Sequence, residues 1–379
     1  MLPNSFTRNY PGIDILRALA AILVLVYHVI EYGNWTSMPV TGLGYVLRRG
    51  WAGVDLFFTI SGFVIALSAL DGVKKQGRAF RRPFAIRRLA RIVPLYFLTG
   101  AVFLVLVKPT VLLADAGSFW AHLGSHLLFI HNLTHWTHGS INGPSWSVAL
   151  EMQFYLAMLL LAPWLARANA LRTLLYAIVL AVTWRFATTL VLEPGSARPV
   201  LQFIYSTQLP GVIDEFALGI ALALVIHRGS EPMARWLKAG WVHFLAWMVL
   251  GASLLSAAAW LDLTYSFWNY AGMVIFWRLL LASGFAALLG AAISFPWAAS
   301  RVLAPIRYLG DISYGLYLWH MLVILSLTTA IPHLQGPKLL VVVLSCTFAL
   351  SSLTWHLLEK PNLRKYKGPH TNGTREGAA

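Results

Sequence analysis

Ten times along its 379 residues the chain runs for about 20 positions with apolar side chains predominating. The runs fall at approximately 13–32, 51–71, 89–107, 145–165, 172–192, 210–228, 241–260, 269–294, 311–331 and 337–358. That length matches the hydrocarbon thickness of a bilayer. Inside a bilayer every backbone N–H and C=O must be satisfied within the protein, so only helices or a closed barrel can cross. Runs this long without strict alternation select helices. The expected fold is all-α, a polytopic membrane helix bundle of about ten transmembrane helices. A shorter apolar piece, Phe119–Leu133, holds three histidines and is expected to be re-entrant or interfacial. With 58% hydrophobic and 11% charged residues, the chain cannot present the surface of a soluble protein.

A formal net charge of +15 would suggest nucleic acid in a soluble chain. In a membrane chain the cations report topology first. If 119–133 does not cross and the N-terminus is cytoplasmic, the inside segments hold Arg8, the block from Lys74 to Arg91, Arg167, Arg172, Arg228 to Lys238, Arg301, Arg307 and the tail from Lys360. The outside loops then keep only Arg48, Arg49, Lys108, Arg198 and Lys338. The expectation is a multi-pass protein of the inner (cytoplasmic) membrane with both termini cytoplasmic, in contact with membrane lipids and not with nucleic acid. The first run exceeds signal-peptide length and carries Asp14, Arg17 and His28, so it reads as a retained helix. Residues 1–360 form one membrane domain, and 361–379 read as a short, polar, disordered cytoplasmic tail with no soluble extra domain. The lone Cys346 cannot form an intrachain disulfide and reads as a small buried hydrophobe.

Ionisable groups inside spans are costly, so each one is a candidate for function. In "DILRALAAILVLVYH", Asp14, Arg17 and His28 fall on one helical face, with His28 on the order of 20 Å from Asp14 and toward the outer side. Asp14 and Arg17 also make an ordinary i, i+3 pair, whereas an imidazole can exchange protons near neutral pH. Asp55 and Ser61 are polar within the second span; Asp55 can orient a histidine or pair with an arginine, and Ser61 suits an interhelical hydrogen bond. Arg88 and Arg91 stand three residues apart at the mouth of the third span, where two guanidiniums suit phosphate. In "INGPSWSVALEMQFY", Ser145 or Ser147 can cap a helix that carries Glu151 near the outer face. Ser313, Tyr317 and His320 share a face of the ninth span, and that serine lacks a nucleophile elbow. His122, His126, His131, His135 and His138 lack the carboxylates of a metal motif, so no metal is expected and the histidines read as interfacial.

In order, "GIDILRALAAILVLVYH", "GVDLFFTISGF", "RRLARIVPLY", "WSVALEMQFY", "LGDISYGLYLWH" and "LLEKP" resemble the motifs of the acyltransferase 3 family of bacterial membrane O-acyltransferases. The resemblance covers nearly the whole chain. It implies a transferase that takes an acyl group, most simply acetyl, from acyl-CoA on the cytoplasmic side and delivers it to a hydroxyl of a cell-envelope or secreted saccharide or glycolipid. The family's arginine and histidine in the first span fall on Arg17 and His28, its paired arginines on Arg88 and Arg91, and its acidic position on Glu151. Met152 stands where the commoner pattern has a second acid.

Residues and resemblance together give an expected site. His28 acts as base on the acceptor hydroxyl, or as an acyl-carrying nucleophile, oriented by Glu151 or Asp55. Arg17, Arg88 and Arg91 bind the phosphates of acetyl-CoA, with Asp14, Ser61, Ser147, Tyr317 and His320 in support, and Trp146 and Trp136 can stack on a sugar. Two rival readings are a membrane transporter, whose pathway also needs buried ionisable residues, and an acyltransferase acting on a lipophilic small molecule such as a macrolide.

Overall fold

The computed structural model describes residues 10–366 apart from 197, 230 and 231. Among the described residues there is no strand, and the chain is a polytopic membrane helix bundle. Its long helices are α1 (Gly12–Tyr32), α2 (Gly53–Gln76), α3 (Arg81–Leu106), the short α4 (Ala116–Leu127), α5 (Trp146–Leu165), α6 (Ala170–Val191), α7 (Leu209–Arg228), α8 (Trp241–Thr264) and α9 (Arg278–Ser294). The bent pair α10 (Ala304–Asp311) and α11 (Ser313–Ala330) follows, then α12 (Gly336–Thr354) and the six-residue α13 (Lys360–Lys365).

Eight of the described helical runs are long and apolar enough to cross a bilayer, nine with the bent pair. One of them, Gly50–Leu106, is 57 residues long. At 1.5 Å per residue it would extend about 85 Å, against a hydrocarbon core of about 30 Å. It divides at Gly77, whose φ of +56° suits a residue without Cβ. The Phe80 side chain is buried there against Gly72, so α2 and α3 form two spans joined by a tight reversal. That division reconciles the helices with the ten expected spans. α4 is 12 residues, about 18 Å, too short to cross. Asp115 starts it by accepting a hydrogen bond from the Ser118 N–H at 3.1 Å, and Asn169 caps α6 through the Arg172 N–H at 3.1 Å.

The helices sort by what they face. α1, α7 and α9 are largely buried, whereas α6 and α8 turn most of their apolar side chains outward, as a lipid-facing helix must. α2 and α7 pack closely because Gly62 lies on the Phe216 carbonyl and Gly219 on that of Thr59; a Cβ at either would collide with backbone. The core also holds charge. Arg185 of α6 ion-pairs with Asp214 of α7, and both are fully buried.

Three expectations change. Cys346 is exposed, on the outward face of α12. The first residues of the expected tail are helical, because α13 packs on α3, where Asn362 Nδ2 donates to Ala90 O at 2.8 Å. The rest of that expectation, at 367–379, lies outside the described residues. The span expected at 311–331 is carried by α11 from Ser313 and begins at a 57° bend, across Ile312, from α10 before it.

Candidate active site

Arg17 of α1 and Arg87, Arg88 and Arg91 of α3 line one cavity of about 170 Å³. Ser61 of α2, Glu151 and Tyr155 of α5, and Tyr314 of α11 complete its polar wall. α3 reaches this place because its basic first turns continue without interruption into its apolar stretch, carrying the arginines inward. Pro94 is tolerated inside α3 because neighbouring helices satisfy the backbone around it. The Ala90 carbonyl, which loses its helical donor to Pro94, accepts from Asn362 Nδ2 at 2.8 Å, and Tyr314 Oη donates to Ile92 O at 3.0 Å.

Glu151 is held by two hydroxyls: Tyr155 Oη donates at 2.5 Å and Ser61 Oγ at 3.4 Å. The Arg88 guanidinium lies over the Tyr155 ring at 5.6 Å and over that of Phe84 at 5.4 Å. Arg17 has only a long contact, 3.9 Å, to Asp14. Among the described residues Arg87, Arg88 and Arg91 have no carboxylate within ion-pair distance, so one carboxylate, Glu151, shares the cavity with four guanidiniums. The lining itself is therefore cationic and suits a polyanion, although Asp14, Asp311 and Glu359 behind it offset part of the charge of Arg17 and Arg91.

The cavity runs from these arginines along α2 as far as Val54 and ends against Ser147 and Tyr317. Those two hydroxyls are 2.7 Å apart, and Tyr317 Oη donates to Pro144 O at 2.8 Å. Beyond Tyr317, whose ring centroid is 5.7 Å from that of His320, two histidines face each other. His320 Nε2 is 3.1 Å from His28 Nδ1, and neither ring lines the cavity. His28 Nδ1 also lies 2.9 Å from Val24 O, and His320 Nδ1 lies 3.2 Å from Leu316 O.

Several expected partnerships are replaced. His28 is met by His320, not by Glu151 or Asp55. Asp55 is ion-paired with the Arg278 guanidinium, which also stands 3.8 Å from Glu215, and all three are buried. Glu151 belongs with the arginines, not with His28. Neither Ser145 nor Ser147 caps α5 with its side chain; Ser145 Oγ meets His131 Nε2 at 3.2 Å. His126 and His131, expected at the interface, are buried and stacked with ring centroids 3.8 Å apart. Tyr96 Oη joins them, 2.9 Å from His126 Nδ1. Trp136 is exposed, while Trp146 packs edge-on against Phe203 and Phe58. Among the described residues no group of three His, Cys, Asp or Glu can hold a metal ion.

Sequence reasoning passed over Arg278, Glu215, Arg185 and Asp214. Each is an ionisable residue inside an apolar run, the signal already used for Asp55, and would have been found by applying it throughout.

The site therefore defines a class: a membrane-embedded helix bundle with an arginine-lined cavity that ends beside a buried histidine pair. Residues 10–356 match the acyltransferase 3 family, described as an acyltransferase domain, and the chain belongs to that family. It is 26% identical to the peptidoglycan O-acetyltransferase OatA of Listeria monocytogenes, over 94% of this chain and 56% of that protein. It is 29% identical to the putative peptidoglycan O-acetyltransferase YrhL of Bacillus subtilis, over 93% of this chain and 55% of the relative. With acyltransferase MdmB of Streptomyces mycarofaciens it shares 32% identity over 58% of each chain. The chain thus spans little more than half the length of the peptidoglycan-modifying relatives. No solved structure matches it.

Proposed function

We propose that this chain is an O-acetyltransferase of the cytoplasmic membrane that moves an acetyl group from acetyl-CoA to a hydroxyl of a cell-envelope saccharide. The observation that carries the reading is the single cavity that joins four guanidiniums at one end to a tyrosine beside two histidines at the other. A phosphate-bearing donor and a base for a hydroxyl are what the reaction requires at its two ends. The two peptidoglycan O-acetyltransferase relatives support acetyl as the group and a saccharide as the acceptor. The basic end of the bundle is the cytoplasmic one, and both termini lie on that side.

In this reading the donor phosphates sit among Arg17, Arg88 and Arg91, and the pantetheine arm runs along α2 toward Tyr317. The hydrogen bonds of the histidines support His28 as the base. Carbonyl oxygens only accept, so Val24 O and Leu316 O place a proton on Nδ1 of both rings. His320 Nε2 is then a lone pair that accepts from His28 Nδ1–H, and His28 Nε2 is left unprotonated. His28 Nε2 takes the acceptor's hydroxyl proton as the oxygen attacks the acyl carbon. The C–S bond breaks, an ester forms, and the thiolate recovers one proton as free coenzyme A. His320 is a positioning residue that fixes the tautomer. Tyr317 separates donor cavity and base, so its side chain must yield for the acyl group to pass.

The test is transfer itself. Purified protein in nanodiscs, given radiolabelled acetyl-CoA and a panel of envelope saccharides, yields labelled ester; uptake of label into vesicles with no ester product would replace this reading with transport.

A further inference from the structure

After the last span the chain turns back onto the bundle. Trp355–Glu359 forms one wide π-helical turn, a feature that often marks functional places, and α13 follows it. The bond from Asn362 Nδ2 to Ala90 O pins α13 between the levels of Arg88 and Arg91. As a result Leu363 and Tyr366 line the same cavity as the arginines. Tyr366 is 45% exposed, and among the described residues no other aromatic ring packs on it. Arg364 and Lys365 beside it are exposed, with no carboxylate partner among the described residues. An open ring at the rim of a cationic cavity is what an aromatic base stacks on, and two further cations suit the phosphates attached to it.

We propose that α13 and Tyr366 form a nucleotide subsite at the mouth of the cavity: the Tyr366 ring stacks on the donor's base, and Arg364 and Lys365 meet its sugar phosphate. The proposal rests on the cavity being the donor site. It gives the donor's nucleotide half its own recognition element, so the enzyme discriminates a nucleotide-linked thioester from the bare pantetheine arm.

The experiment compares coenzyme A with 4′-phosphopantetheine, which lacks the nucleotide, in calorimetric titrations of the full chain in nanodiscs. The unaltered protein should prefer coenzyme A by on the order of tenfold or more, the effect of one stacked base. Tyr366→Ala should erase most of that preference while leaving phosphopantetheine affinity within about twofold, because the smaller probe does not reach the ring. Tyr366→Phe should retain the preference, since the ring and not the hydroxyl carries it. Arg364→Gln with Lys365→Gln should weaken coenzyme A more than dephospho-coenzyme A. An unchanged ratio in Tyr366→Ala, or equal loss in Ala and Phe variants, overturns the subsite and leaves α13 as a basic anchor at the lipid headgroups. Phosphopantetheine binding without any preference for coenzyme A overturns the subsite but spares the donor cavity; absence of binding by both probes overturns the two together.

Discussion

His320 Nε2 stands 3.1 Å from His28 Nδ1, so helices α11 and α1 are joined by a bond between two imidazoles. Each ring also donates toward a carbonyl four residues earlier in its own helix. With a proton on Nδ1 of each ring the pair is directional: His28 Nδ1–H is shared between Val24 O and His320 Nε2, and His28 Nε2 carries the lone pair.

The direction of that bond predicts unequal effects. His28→Ala should lower turnover by roughly 10²–10⁴-fold, the range for loss of a general base. His320→Ala should lower it less, because the base remains but its tautomer is no longer fixed. The double variant should be no slower than His28→Ala alone, since residues acting as a unit are not additive. Steady-state rates with protein amounts matched by fluorescence size-exclusion chromatography check this. Independent, multiplying losses would remove His320 from the positioning role.

Arg88 and Arg91 should act on the donor rather than on the chemical step. A charge-assisted hydrogen bond contributes about 1.5–3 kcal/mol, so Arg88→Ala or Arg91→Ala should raise the KM for acetyl-CoA roughly 10- to 100-fold. Turnover at saturating donor should change little. Lysine at either position should recover part of the loss, since it keeps the charge but not the fork. A KM unmoved by either alanine would return these arginines to the role of topological anchors.

Much of this arrangement was legible in the sequence. Span length and the cost of buried charge singled out Arg17, His28 and Glu151, and spacing at the mouth of a span singled out Arg88 and Arg91, because these rules act locally along one helix. Partnership was not legible. Asp55 meets Arg278, 223 residues away, and His28 meets His320, 292 residues away. Which helices adjoin depends on close contacts such as Gly62 against Phe216, and a periodicity cannot state them. For the same reason Glu151 was placed near the outer face: its depth is set by how α5 lies beside α3.

The pair of Asp55 with Arg278 should prove structural. Both are buried, and the Arg278 guanidinium also lies over the Trp51 ring at 5.5 Å. Removing one partner of a buried pair leaves an uncompensated charge and costs about 3–5 kcal/mol. Arg278→Met strands both Asp55 and Glu215, which stands 3.8 Å from the guanidinium, and should therefore lower the melting temperature in detergent markedly. Arg278→Met combined with Asp55→Asn and Glu215→Gln removes all three charges and should recover stability, and the recovered protein should retain activity. A triple variant that is stable but inactive would put Asp55 back among the catalytic candidates.

Tyr317 gives the sharpest test of the route between the two ends. Its hydroxyl is tied to Ser147 and to Pro144 O, and its ring stands between the arginine-lined cavity and His320. Tyr317→Phe keeps the ring and loses both bonds, at about 0.5–1.5 kcal/mol each, so the partition should loosen without disappearing. Tyr317→Ala removes it. Water should then reach the thioester, and the ratio of acetyl-CoA hydrolysis to acceptor acetylation should rise from the unaltered protein through Phe to Ala. The ratio is read by following free thiol and labelled ester in the same reaction. Equal hydrolysis in all three proteins would mean that the acyl group does not pass this residue, and that the cavity reaches the histidines by another path.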